Sequence, residues 1–382
     1  MEKLYYSMIY LISCEVNHIK PEKKCIEDID MEKLYHFCKL HFLEVLVGTA
    51  LKNAGFVLSD KWNQKLAKSI RKNILFDSER TKLFDFMERE QIWHIPLKGA
   101  VLKEYYPAVG MRQMTDNDIL FDEKYSRKVQ EYMESQGYVG ENIGKGTHDV
   151  YKKKPVFNFE LHRTLFNESV QGNMFRYYKN IKSRLLKNDN SECEYHFSKE
   201  DFYIYILAHA YKHYQKGGTG IRSLLDFYMY LSFEEKNMDF EYIQRECECL
   251  EIADFEFANR VLCKKVFGKD ISTDFDKFVN SLSDGEIEML EYYFSSGVHG
   301  TMERGIKNRA DNFSRENGNA SKFKYLLNRI FPSADKYKSD YPFFYKHKWF
   351  LPIGWIYRLL HMIFSKKKRK AALKEIQFLK KI

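Results

Sequence analysis

Two aspartates stand one residue apart in the run Thr115-Asp116-Asn117-Asp118-Ile119-Leu120. In an extended strand, side chains at i and i+2 leave the same face, so Asp116 and Asp118 point together while Asn117 and Ile119 point the other way. Paired carboxylates make an oxygen-rich site for a hard divalent cation, Mg²⁺ or Mn²⁺. A second strand-like run, Phe157-Asn158-Phe159-Glu160-Leu161-His162, puts Glu160 and His162 on one face by the same parity. Glu160 is the candidate third metal ligand, and His162 can hydrogen-bond near the metal or orient Glu160. Upstream, Lys98-Gly99 stands where a strand turns into a helix. Gly99 would let backbone approach a phosphate, and Lys98 and Arg112 are the nearest cations to bind one. The alternatives are a solvated Lys98 and an Arg112 that braces the Asp116 loop through a salt bridge.

These residues need a small sheet to hold them. The pattern predicts a buried strand over 92–97, a turn at Gly99 and a helix through 105, followed by a strand over 116–121. A helix over 124–135 stops at Gly137, and strands over 148–153 and 156–162 complete a small mixed sheet. Residues 1–90 show helical spacing, as in Leu34, Phe37, Cys38, Leu83, Phe84 and Met87. Helical periodicity returns beyond 170, over 202–214, 221–231 and 242–267. The expectation is an α+β chain with an N-terminal helical region (1–90), a catalytic core (91–170) and a larger helical region (171–382). The last region is expected to fold over the sheet and form a cleft. The polar stretch 308–321 is expected to be a mobile loop.

The order of glycine turn, Asp-x-Asp and a third carboxylate on a neighbouring strand resembles the nucleotidyltransferase superfamily that includes DNA polymerase beta. Leu97-Lys98-Gly99-Ala100, Tyr106-Pro107, Gly110-Met111-Arg112 and Thr115 to Leu120 look like a bacterial branch of uncharacterised nucleotidyltransferases, which also carries a Glu-x-His strand. His209-Ala210-Tyr211-Lys212-His213, Ile221-Arg222 and Leu225-Asp226 look like its C-terminal helical region. Ile330-Phe331-Pro332 and Leu351-Pro352 share the likeness. The chain departs from the superfamily at the turn, where Gly99-Ala100 replaces two glycine or serine residues. The resemblance implies that Asp116 and Asp118 bridge two metal ions and that Glu160 completes the nucleophile-side ion. The reaction implied is transfer of a nucleoside monophosphate from a nucleoside triphosphate, ATP among them, to an acceptor with loss of pyrophosphate. It makes His213, Arg222 and Asp226 contacts at the cleft, for substrate or for docking the helices on the sheet, and its relatives point to a sugar, lipid-linked or peptide acceptor.

Other readings compete. An Asp pair also occurs in sugar-nucleotide glycosyltransferases, and a site of this kind can persist in a non-catalytic nucleotide-binding or membrane-docked assembly protein. His209 and His213 have a spacing that can bind zinc, or they line a helical interface. A net charge of +9, from 62 basic and 53 acidic residues, favours anionic partners without choosing among them. No RNA-recognition motif is evident. Seven scattered cysteines without a Cys-x-x-Cys pair suit reduced thiols in a cytoplasmic protein. The apolar N-terminal stretch is too short to span a membrane and is expected to be a helix packed on the body. Near the other end, aromatic and apolar residues between Phe343 and Phe364 precede Lys366-Lys367-Lys368-Arg369-Lys370. The expectation is a final core helix with a solvated basic tail. The alternative is peripheral docking of 343–382 on an anionic bilayer.

Overall fold

A computed structural model of the chain describes residues 1–168, 171–297, 300–316, 318, 321–337 and 341–379. Its sheet is built from β1 (His94–Pro96), β2 (Asn117–Phe121), β3 (Val139–Glu141), β4 (His148–Lys153) and β5 (Phe157–His162), in the order β1-β2-β5-β4-β3. β2 and β5 run parallel with Asp118 opposite Glu160, and every other pair is antiparallel. The sheet is therefore mixed, as expected, with one short additional edge strand, β3.

Four helices precede the sheet: α1 (Lys3–Val16), α2 (Met31–His41), α3 (Glu44–Asn53) and α4 (Asp60–Arg89). α5 (Gly99–Leu102) and α6 (Ser126–Ser135) lie within it. Strand parity sorts the apolar residues into two layers. Ile119, Phe121, Phe159 and Leu161 pack against Leu83, Phe86 and Met87 of α4 and Val129 and Met133 of α6 in one core. The opposite face carries Asp118, Glu160 and His162, with Leu120 joining a second, larger core. Carboxylates are thus turned away from the layer that α4 and α6 seal.

The larger core covers that opposite side. It is shared by α1 to α3 and by helices that follow the sheet: α7 (Gly172–Tyr178), α8 (Lys199–Lys216), α9 (Ile221–Glu234), α10 (Phe240–Cys249) and α11 (Ala253–Phe267). α1 is buried from Tyr6 to Val16, so the N-terminal stretch is packed into the body as expected. α8 starts at Ser198, whose hydroxyl accepts from Asp201 N, and α10 starts at Asp239, which caps Tyr242 N. The stretch 242–267 differs from its reading as one helical run. It breaks at Glu251, which takes a left-handed φ of 59°, while Ile252 N–H closes α10 on Cys247 O.

Seven further helices follow among the described residues: α12 (Phe275–Asn280), α13 (Asp284–Ser296), α14 (Met302–Glu316), α15 (Lys322–Ile330), α16 (Pro342–Lys346), α17 (Leu351–Phe364) and α18 (Lys366–Leu379). Residues 308–316, expected in a loop, form the second half of α14; Asn317 and Asn319 lie outside the described residues. The polarity that suggested a loop has another use. Asn308 Nδ2 donates to Tyr214 O (2.8 Å) and Gln215 O (3.2 Å), satisfying carbonyls in the last turn of α8. The expected final core helix is also corrected: α17 buries only Gly354 among its residues. Among the described residues only one side of it is covered.

Candidate active site

The turn after β1 sets the site. Leu97 N–H donates to Asp118 O (2.9 Å), tying the end of β1 to β2, and Lys98 then adopts φ 38°, ψ −106°. A positive φ is strained for a residue with a side chain, and such strain persists only where its surroundings enforce it. Here the turn brings Lys98 Nζ back to Asp118 Oδ1 at 3.0 Å. His162 Nε2 lies 2.8 Å from the same oxygen. Burial alone would push the Asp118 carboxyl up, but Lys98 and His162 outweigh it and hold the group well below the usual carboxylate range.

Its neighbours go the other way. Asp116 stands one residue before β2 and is raised by burial and then by the charge of Asp118. Glu160, directly across from Asp118 in the parallel register, is raised to about 7 by burial and by Asp118 and Asp116. Asp118 and Glu160 thus face one another across β2 and β5, Asp116 is near enough to be raised by Asp118 and to raise Glu160, and two of the three carboxyls resist ionisation despite Lys98. That donor set fits a divalent cation.

A residue that the sequence reading missed belongs with them. His148 on β4 pairs with His162 on β5 and sits on the same face. His148 Nε2 is 3.5 Å and His162 Nε2 3.9 Å from Glu160 Oε2. Ligand atoms of these three residues lie within 4.8 Å of one another. Burial and the adjacent His162 lower His148 to about 4 and so favour its neutral, metal-binding ring, while burial also lowers His162, whose Nε2–H is given to Asp118. The available signal was the β4–β5 register, which places His148 opposite His162.

Gly99 and Arg112 meet, but in another way than expected. A Cβ on Gly99 would lie 2.6 Å from Arg112 Nη1, so the glycine makes room for a guanidinium. Arg112 in turn grips Asp226 with both edges, Nε to Oδ1 at 2.8 Å and Nη2 to Oδ2 at 2.9 Å. Tyr106 donates its hydroxyl to Asp226 Oδ1 (2.8 Å). This buried pair locks the Gly99 turn to α9. Asp226 is thereby engaged in docking α9 onto the sheet. Arg222, one turn earlier on α9, donates to Gln113 O (3.0 Å), and burial followed by Arg112 lowers its pKa. Arg112 and Arg222 both lie within electrostatic reach of Asp226 and Asp116.

α8 supplies the roof. Tyr205, His209 and Lys212 recur at helical spacing on one face, and their ionisation is coupled to Lys98 below. The sequence motif around His209 and His213 gives Lys212 no role. Burial and Lys98 press its ammonium down to about 8, against the pull of Asp118 and Glu160. Its Nζ lies 5.4 Å from the Phe166 ring centroid. His209 and His213 meet, with Nε2 atoms 3.2 Å apart, but His213 is exposed and the pair gains no third metal ligand among the described residues.

Beyond Phe166 lies a cavity of about 600 Å³. It does not contain the carboxylates, but Leu120, next after Asp118 on the same face of β2, lines it. Its walls include Phe166 and Tyr178, and Arg163, Lys179 and Lys182 border it with no acidic residue. The Tyr178 hydroxyl is buried without a hydrogen-bond partner among the described residues. Trp93 marks its far end, where Trp93 O accepts from Asp122 N just past β2. The Lys98 turn and the cavity thus flank the carboxylates from opposite ends of β2.

The chain matches no curated protein and no solved structure. A family model described as uncharacterised nucleotidyltransferase matches residues 27–268. That span contains the turn, all three carboxylates, both strand histidines and the α8–α9 roof. The chain belongs to this uncharacterised nucleotidyltransferase family.

Proposed function

We propose that this protein transfers a nucleoside monophosphate from a nucleoside triphosphate to an acceptor at the face formed by Asp116, Asp118 and Glu160. The observation that carries this reading is the crowding of three carboxylates, from adjacent parallel strands, beneath Lys98 and Lys212. Asp116, Asp118 and Glu160 would hold Mg²⁺ or Mn²⁺, which when bound neutralises charge on the attacking and leaving oxygens. The protein's own groups do the rest. Lys98 and Lys212 oppose the triphosphate charge, while the Arg112–Asp226 pair keeps the turn in place. Glu160 accepts the proton of the acceptor hydroxyl as its oxygen bonds to the α-phosphorus and the bond to pyrophosphate breaks. With the turn at one end of β2 and the cavity at the other, the triphosphate is assigned to the turn and the acceptor to the cavity. Aromatic walls and three cations suit an acceptor that joins a flat apolar part to an anionic group.

The donor set also bears on the ion. His148 and His162 add nitrogen to a carboxylate site, which favours Mn²⁺ over Mg²⁺. Mn²⁺ is expected to bind roughly tenfold or more tightly than Mg²⁺, and its spin-echo spectrum should show nitrogen modulation that weakens in His148→Ala and is lost in His148→Ala/His162→Ala. Unchanged modulation in both variants would remove the histidines from the metal site.

Nucleoside triphosphate binding and pyrophosphate release, measured with each ion, test the reaction. The wild type should bind nucleotide in a metal-dependent manner, and Asp116→Ala/Asp118→Ala should lose that binding. A folded wild type that binds no nucleotide would sink the proposal, and binding with no pyrophosphate release toward any acceptor would favour the non-catalytic reading. The sugar-nucleotide glycosyltransferase reading is weakened by the sheet, whose single parallel pair gives no long nucleotide-binding half ahead of the acidic pair.

A further inference from the structure

Between Trp349 and Phe364 the outward residues follow one helical stripe, Trp349, Ile353, Ile356, Leu360 and Ile363, with steps of four and three. Each is exposed: 79%, 54%, 59%, 47% and 51%, ending in Phe364 at 84%. The opposite side of α17 is the one docked on the protein. Trp355 Nε1 donates to Pro332 O (3.0 Å) and Arg358 Nη2 to Arg329 O (3.1 Å). A Cβ on Gly354 would lie 3.0 Å from Phe344, so that helix face is held closely. α17 is therefore apolar on both sides and covered on only one. A continuous apolar stripe of this kind marks an interaction surface.

Charge identifies the partner. From residue 341 to 379 the sequence has nine lysines and arginines and a single acid, Glu375. Glu375 is itself engaged by Arg329 (3.0 Å) and Tyr325 (2.7 Å). Lys366, Arg369 and Lys370, at the start of α18 and next to the stripe, are exposed. No helix among the described residues is long and apolar enough to cross a membrane. The 14 residues of α17 extend about 21 Å at a helical rise of 1.5 Å per residue, against roughly 30 Å of hydrocarbon. A short helix with an apolar outer face and a basic end is built to lie in the headgroup plane.

We propose that α17 and the start of α18 dock this protein on an anionic membrane surface, with the stripe from Trp349 to Phe364 inserted and Lys366, Arg369 and Lys370 against the lipid phosphates. A second copy of the chain is the less suitable occupant. Like-charged segments would oppose one another, and one stripe of a single short helix falls well below the ~800 Å² per partner of a stable interface.

The test is sedimentation of the full chain with phosphatidylcholine vesicles, with and without phosphatidylglycerol. The wild type should bind the anionic vesicles at least about tenfold more tightly than the neutral ones, and high salt should weaken that binding. Trp349 emission should shift to the blue on binding. Ile356→Asp/Ile363→Asp should reduce binding to anionic vesicles roughly tenfold or more. Arg369→Glu/Lys370→Glu should do the same without altering the apolar face, which keeps the test valid if the first variant misfolds. No sedimentation with anionic vesicles, or equal sedimentation of wild type and both variants, would overturn the proposal. A concentration-dependent dimer in sedimentation equilibrium that the stripe variant abolishes would assign the stripe to a second copy and overturn it too.

Discussion

Asp116→Asn is expected to raise the thermal midpoint of the metal-free protein and at the same time to lower pyrophosphate-releasing turnover by roughly 10³-fold. The two effects have one origin. Asp116 is nearly isosteric with asparagine, so packing is conserved, but one of three mutually repelling carboxylates is removed. Burial and Asp118 already push the Asp116 carboxyl up, so its ionised form works against the fold. A carboxyl raised in the folded state contributes instability that grows as pH rises through its titration, so relief is expected at neutral pH. If that relief is worth about 1 kcal/mol, the midpoint rises by about 1 °C for a chain of this size. Stability given up at a functional site is the usual sign of residues placed for chemistry. Calorimetry in the presence of a chelator, with turnover measured in parallel on added Mn²⁺, reads both effects. A variant that is destabilised without metal, or that retains near-normal turnover, would show that Asp116 is a structural residue.

How much of this was legible depends on the range of the interactions. Asp116, Asp118 and Glu160 were legible as candidates because strand parity is local, and the parallel register of β2 and β5 puts Asp118 opposite Glu160. His148 was hidden because its approach to Glu160 depends on the β4–β5 register, which the side-chain alternation of one strand does not specify. Lys212 was hidden for a similar reason: its helix is readable, but the rotation of α8 over the sheet is a tertiary fact. Arg112 shows the reverse case. Its charge and proximity suggested phosphate, while the structure gives its two-pronged donor face to Asp226, 114 residues away. The same limit explains the C-terminal helices. Apolar residues on α17 predicted a core position, because sequence reports what a residue would prefer to touch and not whether a partner layer exists. Polar residues on α14 predicted a loop, although Asn308 caps α8.

Asp118→Asn should carry the opposite stability sign to Asp116→Asn while abolishing turnover to at least the same degree. Asp118 is the counter-charge of a buried ammonium, with Lys98 Nζ at 3.0 Å and side-chain exposures of 18% and 6%. Removing one partner of a buried pair leaves the other charged and desolvated, typically at a cost of about 3–5 kcal/mol. His162 loses its acceptor as well, and its other ring nitrogen, Nδ1, is already buried without a partner. The strained turn at Lys98, held in place by this pair, would be released. The midpoint is therefore expected to fall by several degrees. Lys98→Met/Asp118→Asn separates the causes: deleting both charges should restore much of the stability, since a buried pair contributes little net, yet restore no turnover. Thermal denaturation of the wild type, Lys98→Met, Asp118→Asn and the double variant forms the cycle. Equal destabilisation by Asp116→Asn and Asp118→Asn, or no recovery in the double variant, would mean that the two aspartates are not divided between a metal-facing group and a lysine-anchored one.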